Sequence, residues 1–473
     1  MLTTSIVTTL AIAAFVTQDN VPLKAAPKDS AAQQAILTQG DLLEVRGQKL
    51  DYLQVYDHRR ERAGFVHISQ LKQTSLKTEE APDLLSVVRF IRDTPGSEAL
   101  GISYASAYLK AAPANAARAE VFEALGAMAE RLAARASRTQ SKSAADMSAA
   151  HLEAVRYLGV RMISYERNGA MQLCYDGEAY KQVIAQTTDA ALKTRAALGL
   201  TKHECVNPDF TPAQLLQHDQ WRNSTLHSIE AQQIAQLPAI LLNRLHLRKA
   251  GVLSSLAYLQ SRRNEDVSLM MRQAIEELAA VNKNELSDND VLDYAEASVR
   301  TSAGRLSVAV TPVAKAAPLT IQTTAGEPGQ TCVELMSGKI STKLKKCTYG
   351  IVWPQSLSIS PNGQVATLAV QTVSTWRELW VMRSGSDGWV LDVLPPSSTG
   401  PDLGVLEFAG WVPGGEKMLV ARDTLEKGRI RTSFEVLKID TLTVEQRAST
   451  PSLLIAFTKW QDPTWKANTL SVR

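Results

Sequence analysis

The chain has 473 residues, with 51 Lys and Arg against 48 Asp and Glu, a formal net charge of +3. At ~150 residues per domain that length holds about three domains, with enough apolar side chain to bury several cores. The charge is near balance and the basic residues are dispersed rather than gathered in a stripe, which excludes nucleic acid as a partner.

The first segment, Ile6-Val7-Thr8-Thr9-Leu10-Ala11-Ile12-Ala13, is apolar, and Ala11-Ile12-Ala13 offers the small residues of a signal-peptidase site. Residues 1–13 are therefore expected to be a signal peptide and the protein to be exported, to the periplasm or elsewhere in a bacterial cell envelope. The run falls short of the about 20 apolar residues that span a bilayer. The first basic residue of the chain is Lys24, well after this run, which leaves two other readings open: a start further upstream, or a first buried strand. No integral membrane span is expected later, because the most apolar stretch, 234–259, is interrupted by Pro238, Arg244, His246, Arg248 and Lys249.

Residues 14–72 alternate with a period of two and are broken by turns. Strands are predicted at 16–23, at 35–45 with an interruption at Gly40-Asp41, at 52–56 and at 64–67. Val21-Pro22-Leu23-Lys24-Ala25-Ala26-Pro27, the run from Ile36 through Gly40 to Val45, Tyr52-Leu53-Gln54-Val55 and Ala63-Gly64-Phe65-Val66 resemble, in order, four strand motifs of the bacterial SH3-like family. The resemblance covers about an eighth of the chain. It implies a small SH3-like β-barrel that binds a cell-wall peptide or another protein through an aromatic groove. The family's Trp positions are held here by Tyr52 and Phe65. Tyr52, Tyr56 and Phe65 are readable either as core, since aromatics dominate the packing of small domains, or as groove. Tyr56, beside the charged run with Arg59 and Arg60, is the expected surface contact.

Between 81 and 304 the period changes to 3.6. Val121, Leu125, Met128 and Leu132 share one stripe, as do Leu152, Val155, Gly159 and Met162, and Val267, Met271, Ala274 and Leu278. An α-helical array of about eight helices of ordinary length is predicted. Residues 305–331, rich in Ala, Pro, Thr and Gly, read as a linker. The β signal returns over 332–473, where the run from Ser358 through Pro361-Asn362-Gly363 to Ala366 and the run from Gly410 through Pro413-Gly414-Gly415 to Val420 are two versions of one strand–turn–strand unit. These resemble β-propeller blade hairpins, but at about 40–45 residues per blade there is room for only three. The expectation is a partial propeller-like or sandwich domain, in a multidomain α+β chain.

The four cysteines fall into local pairs, Cys174 with Cys205 and Cys332 with Cys347. Disulfides follow from export; buried thiols are the alternative, and no pair has zinc-ligand spacing. Catalytic motifs are missing: there is no Gly-x-Ser-x-Gly elbow, phosphate loop or His-Glu-x-x-His pair. Ser69-Gln70-Leu71-Lys72 lacks the companion motifs of its class. Asp288-Asn289-Asp290 reads as a helix cap rather than a calcium loop, and His218, Asp219 and His227 show no third metal ligand. The chain is thus expected to be a non-enzymatic envelope binding or scaffold protein without cofactor or metal, whose partner is a protein, a peptidoglycan-type ligand or a second copy of itself. A hydrolase with catalytic groups scattered through the helical region is the competing class. Peptide mapping of envelope-derived protein without reductant should recover Cys174 linked to Cys205 and Cys332 linked to Cys347; four alkylatable thiols would contradict the assignment.

Overall fold

The computed structural model describes residues 12–113, 116, 118–138, 141–167, 169–308, 318–398, 400 and 402–468. The expected signal peptide lies outside them except for Ile12 and Ala13, which belong to a strand. The structure contains helices and several separate sheets, an α+β chain. It divides into two compact units: residues 1–210 with 229–237, and residues 211–228 with 238–473. Among the described residues no helix is long and apolar enough to cross a membrane.

The first unit opens with seven strands: β1 (Ile12–Val16), β2 (Val21–Lys24), β3 (Gln33–Leu37), β4 (Leu42–Lys49), β5 (Tyr52–Asp57), β6 (Arg62–His67) and β7 (Leu71–Thr74). All pair antiparallel in the order β3-β2-β6-β5-β4-β1-β7. The expected closed barrel is not formed, because β3 and β7 are the two edges of an open sheet. Alternation sends Ala14, Val16, Leu23, Leu43, Leu53, Val55 and Val66 into one apolar core. Phe15, on the opposite face of β1, packs instead with the helices, its ring 5.5 Å from that of Tyr104.

Those helices are α1 (Ala81–Ile91), α2 (Glu98–Ala111), α3 (Ala119–Ala136) and α4 (Lys142–Tyr157). Val121, Met128 and Leu132 of the first predicted stripe are fully buried in α3. The second stripe overruns its helix: α4 ends at Tyr157, and Met162 begins the hairpin β8 (Met162–Arg167) and β9 (Ala170–Tyr175). Helices α5 (Glu178–Gln186) and α6 (Ala190–Leu200) follow, and Cys174 of β9 is bonded to Cys205 (Cα–Cα 5.8 Å). The sheet is fastened to its helices by polar contacts as well. Ser103 Oγ donates to the Gly40 carbonyl (2.6 Å), and His151 Nε2 meets Asp19 Oδ1 (2.9 Å). Sheet and helices are therefore parts of one compact unit.

After α7 (Pro212–His227) in the second unit and α8 (Ala231–Ile234) in the first, the second unit continues with α9 (Ala239–Ser261), α10 (Ser268–Ala279) and α11 (Asp288–Gly304). Ser287 and Asp290 form a capping box at the start of α11, so the Asp288-Asn289-Asp290 run caps a helix. A three-stranded sheet holds β10 (Leu319–Ala325), β11 (Thr331–Ser337) and β12 (Ile340–Thr348), with Cys332 bonded to Cys347 directly opposite it (Cα–Cα 3.8 Å). Strand β10 lies inside the stretch expected to be linker. Its Thr and Ile residues are good strand formers despite the absence of aromatics.

The last sheet joins two meanders of four strands. The first is β13 (Ile351–Ile359), β14 (Val365–Val373), β15 (Trp376–Gly385) and β16 (Gly388–Leu394); the second is β17 (Gly404–Trp411), β18 (Lys417–Glu426), β19 (Arg429–Lys438) and β20 (Val444–Ala448). They meet where β15 runs parallel to β17. Their first turns are bonded alike: Ser360 N to Val365 O (2.8 Å) and Gly363 N to Ser360 O (2.8 Å), then Val412 N to Lys417 O (3.0 Å) and Gly415 N to Val412 O (3.1 Å). The chain ends with α12 (Ile455–Trp460) and α13 (Pro463–Asn468).

Glu407 of β17, 5% exposed, accepts from Arg305 Nη2 (2.8 Å), from Arg377 Nη2 and from Trp465 Nε1 (3.0 Å). Removing one partner of such a buried pair strands the other charge, which costs about 3–5 kcal/mol. All eight Trp residues lie in the second unit, so Trp fluorescence in a urea titration follows that unit alone. Glu407→Gln and Arg377→Met should each lower its stability by about 3–5 kcal/mol; a change below ~1 kcal/mol would show the network to be dispensable.

Candidate functional site

Register decides where the residues of the predicted strand motifs point. On β5 the inward positions are Leu53 and Val55, leaving Tyr52, Gln54 and Tyr56 on the outer face. Tyr56 lies opposite Glu44 on β4 and Ala63 on β6, Gln54 opposite Phe65, and Tyr52 opposite His67. Residues directly opposite one another share a face. Tyr52, Tyr56 and Phe65 are thus brought together on the outer surface, with Lys24 of β2 opposite Phe65 at the far side. Gly64 allows β6 to come this close to β2, since a Cβ there would lie 2.6 Å from the Leu23 side chain and 2.9 Å from the Lys24 carbonyl oxygen.

The three aromatics have different roles. Tyr52 is buried; its hydroxyl donates to Asp29 Oδ1, which holds the phenol above its ordinary pKa, and its ring stands edge-on to His67 at 5.3 Å. It anchors the turn between β2 and β3. Tyr56 is half-buried, with the Arg46 guanidinium 4.0 Å over its ring and His58 edge-on at 4.8 Å. Arg46 Nε (3.2 Å) and His58 Nε2 (2.7 Å) both meet the Glu44 carboxylate, and these two hydrogen bonds hold it below its ordinary range. Phe65 is half-buried, opposite Lys24 of β2. A peptide laid across β5 and β6 would meet two aromatic faces and an acid–base cluster whose positions the strands fix.

Arg59 and Arg60 do not belong to this surface. Arg59 Nη2 donates to Asp41 Oδ1 (2.6 Å), and Arg60 Nη1 to Asp41 Oδ2 (2.8 Å) and Asp57 Oδ2 (2.6 Å). Asp41 and Asp57 are almost fully buried. Burial raises the Asp41 carboxyl above its ordinary value, against the pull of the Thr38 N–H and both guanidiniums. Both arginines are held by these buried acids, Arg59 also by the exposed Glu153 (3.2 Å), and their side chains are largely covered. His58, His67 and Arg46 take their place on the outer face; the period-two alternation of β4 to β6 was the signal that could have found them.

The remaining residues that the sequence singles out make the following contacts. Asp219 on α7 is fully buried and accepts from Arg222 (2.8 Å) and from Ser255 Oγ (2.6 Å), while burial pushes the Arg222 guanidinium down to about 10. Ser69 Oγ is bonded to His67 Nδ1 (2.7 Å) rather than to Lys72. Among the described residues no group of three or more His, Cys, Asp or Glu could hold a metal ion. Of the C-terminal tryptophans, Trp376, Trp380 and Trp465 are buried, Trp389 and Trp411 partly so, and Trp460 is exposed. No known protein family, curated protein or solved structure matches the chain.

Proposed function

We propose that the chain is a non-enzymatic, exported cell-envelope protein that binds peptide on the outer face of its N-terminal sheet. The peptide is the stem of a cell-wall fragment or an extended segment of an envelope protein. The observation that carries this reading is the convergence of Tyr56, Phe65 and the Glu44–Arg46–His58 cluster on one strand-built surface. Two disulfides support an oxidising compartment. The strand motifs support an opened variant of the SH3-like sheet, and the two like-bonded meanders a partial propeller.

Central aromatic residues of such surfaces cost about 2 kcal/mol or more when truncated. Tyr56→Ala and Phe65→Ala in the full chain should each weaken binding by about 30-fold, whereas Arg59→Lys should leave it unchanged. Calorimetry with a soluble disaccharide–tetrapeptide and capture from envelope extract distinguish the two sources of peptide. Binding that is indifferent to both aromatic variants, or substrate turnover in a broad hydrolase screen, would overturn the reading.

A further inference from the structure

The β11–β12 hairpin of the second unit gathers positive charge. Residues 338–346 hold Lys339, Lys343, Lys345 and Lys346 and no acid, an exception to the dispersal of basic residues along the chain. This one hairpin thus carries more positive charge than the chain as a whole, whose net is +3. All four lysines are exposed, and among the described residues none forms an ion pair. Two acids lie near. Glu334 is directly opposite Lys345 but accepts from the Ser341 hydroxyl, and Glu378 of β15 has a carboxyl that burial raises against the pull of Trp380 and Lys346. Lys343 and Lys345 are two residues apart on a strand, about 7 Å, inside the Debye length of about 8 Å at physiological salt, so their fields add.

The backbone that presents these charges is fixed. Gly338 and Lys339 make a two-residue turn between Ser337 and Ile340, with Gly338 at φ +59°, and Gly338 N donates to the Pro318 carbonyl (3.2 Å). Thr342 Oγ1 donates to Leu335 O (2.8 Å), and the Cys332–Cys347 bond ties the strands at the far end.

Strand β12 is an edge of its sheet, and lysines on an edge discourage pairing with another chain. That use does not account for Ile340, which is 75% exposed directly after the turn, between Lys339 and Lys343. A soluble polyanion would neutralise the lysines and leave Ile340 in water. An anionic bilayer surface meets both needs: its phosphates face the ammonium groups, and its acyl boundary takes the isoleucine and the apolar lysine stems. We propose that this hairpin is a reversible contact for an anionic lipid bilayer, which the chain touches without spanning.

The test uses the full oxidised chain with vesicles of equal parts phosphatidylglycerol and phosphatidylcholine, and with pure phosphatidylcholine vesicles for comparison. Co-sedimentation should recover the chain with the anionic vesicles alone, and about 1 M salt, where the Debye length is ~3 Å, should release it. Each lysine near such a surface is worth about fivefold in binding, so the triple variant Lys343→Gln, Lys345→Gln, Lys346→Gln should bind about 100-fold more weakly. Ile340→Asn keeps every charge and should weaken binding by about tenfold. All these positions are exposed, so the circular dichroism spectrum should stay that of the parent. If the triple variant fails to fold, Ile340→Asn decides. The vesicles contain no peptide, so failure here leaves the peptide reading standing. The assignment is overturned by a chain that stays in the supernatant, by equal recovery with pure phosphatidylcholine, by recovery indifferent to salt, or by folded variants that bind as tightly as the parent. Undiminished binding of Ile340→Asn alone would mark a site for a soluble polyanion instead.

Discussion

The Glu407 carboxylate is the point on which the second unit converges. It lies on β17, where the two meanders meet, and its partners come from three other places in the chain: Arg305 after α11, Arg377 on β15 and Trp465 on α13. Arg377 also donates to the carbonyls of Ser302 (2.6 Å) and Ala303 (3.3 Å), which close the end of α11. Burying three charges is tolerable only when every one has partners in good geometry. The last long helix, both halves of the sheet and the C-terminal turn are thus fixed by one set of hydrogen bonds.

The first unit uses the same device at a smaller scale. Asp41 and Asp57 are buried behind the sheet and draw Arg59 and Arg60 inward. This bears directly on the proposed peptide binding. The most conspicuous charges of the β5–β6 hairpin serve the fold, and the outer face keeps a compensated cluster around Glu44 together with the rings of Tyr56 and Phe65. Such a surface gains affinity from aromatic contact, with charge setting orientation more than strength.

The parts of this architecture legible in the sequence are those written in local pattern. The strands around Tyr52 and Phe65, the buried stripe of α3 and the two Pro-containing turns each follow from spacing and turn residues. The cysteine pairs follow from proximity in the chain and compartment. What was not legible depends on tertiary partners. The β8–β9 hairpin stands as a two-stranded sheet, with Ile163 and Met171 exposed on it, so it carries no clean alternation and its Met162 extends a helical stripe by accident. Strand β10 lacks aromatics and resembles a linker until β11 pairs with it. The inward turn of Arg59 and Arg60 needs the buried Asp41, which is distant in sequence. The open edges at β3 and β7 cannot be told from a closed barrel by strand pattern alone.

The central claim is that the outer face of β5 and β6 is the peptide-binding surface. Amide and side-chain chemical-shift mapping of the isotope-labelled full chain, titrated with a cell-wall stem peptide, tests it most directly. The account predicts shifts concentrated on Glu44, Arg46, Gln54, Tyr56 and Phe65, with the inward Leu53, Val55 and Val66 side chains unmoved. Saturable shifts confined to other elements, with β5 and β6 silent, would contradict it.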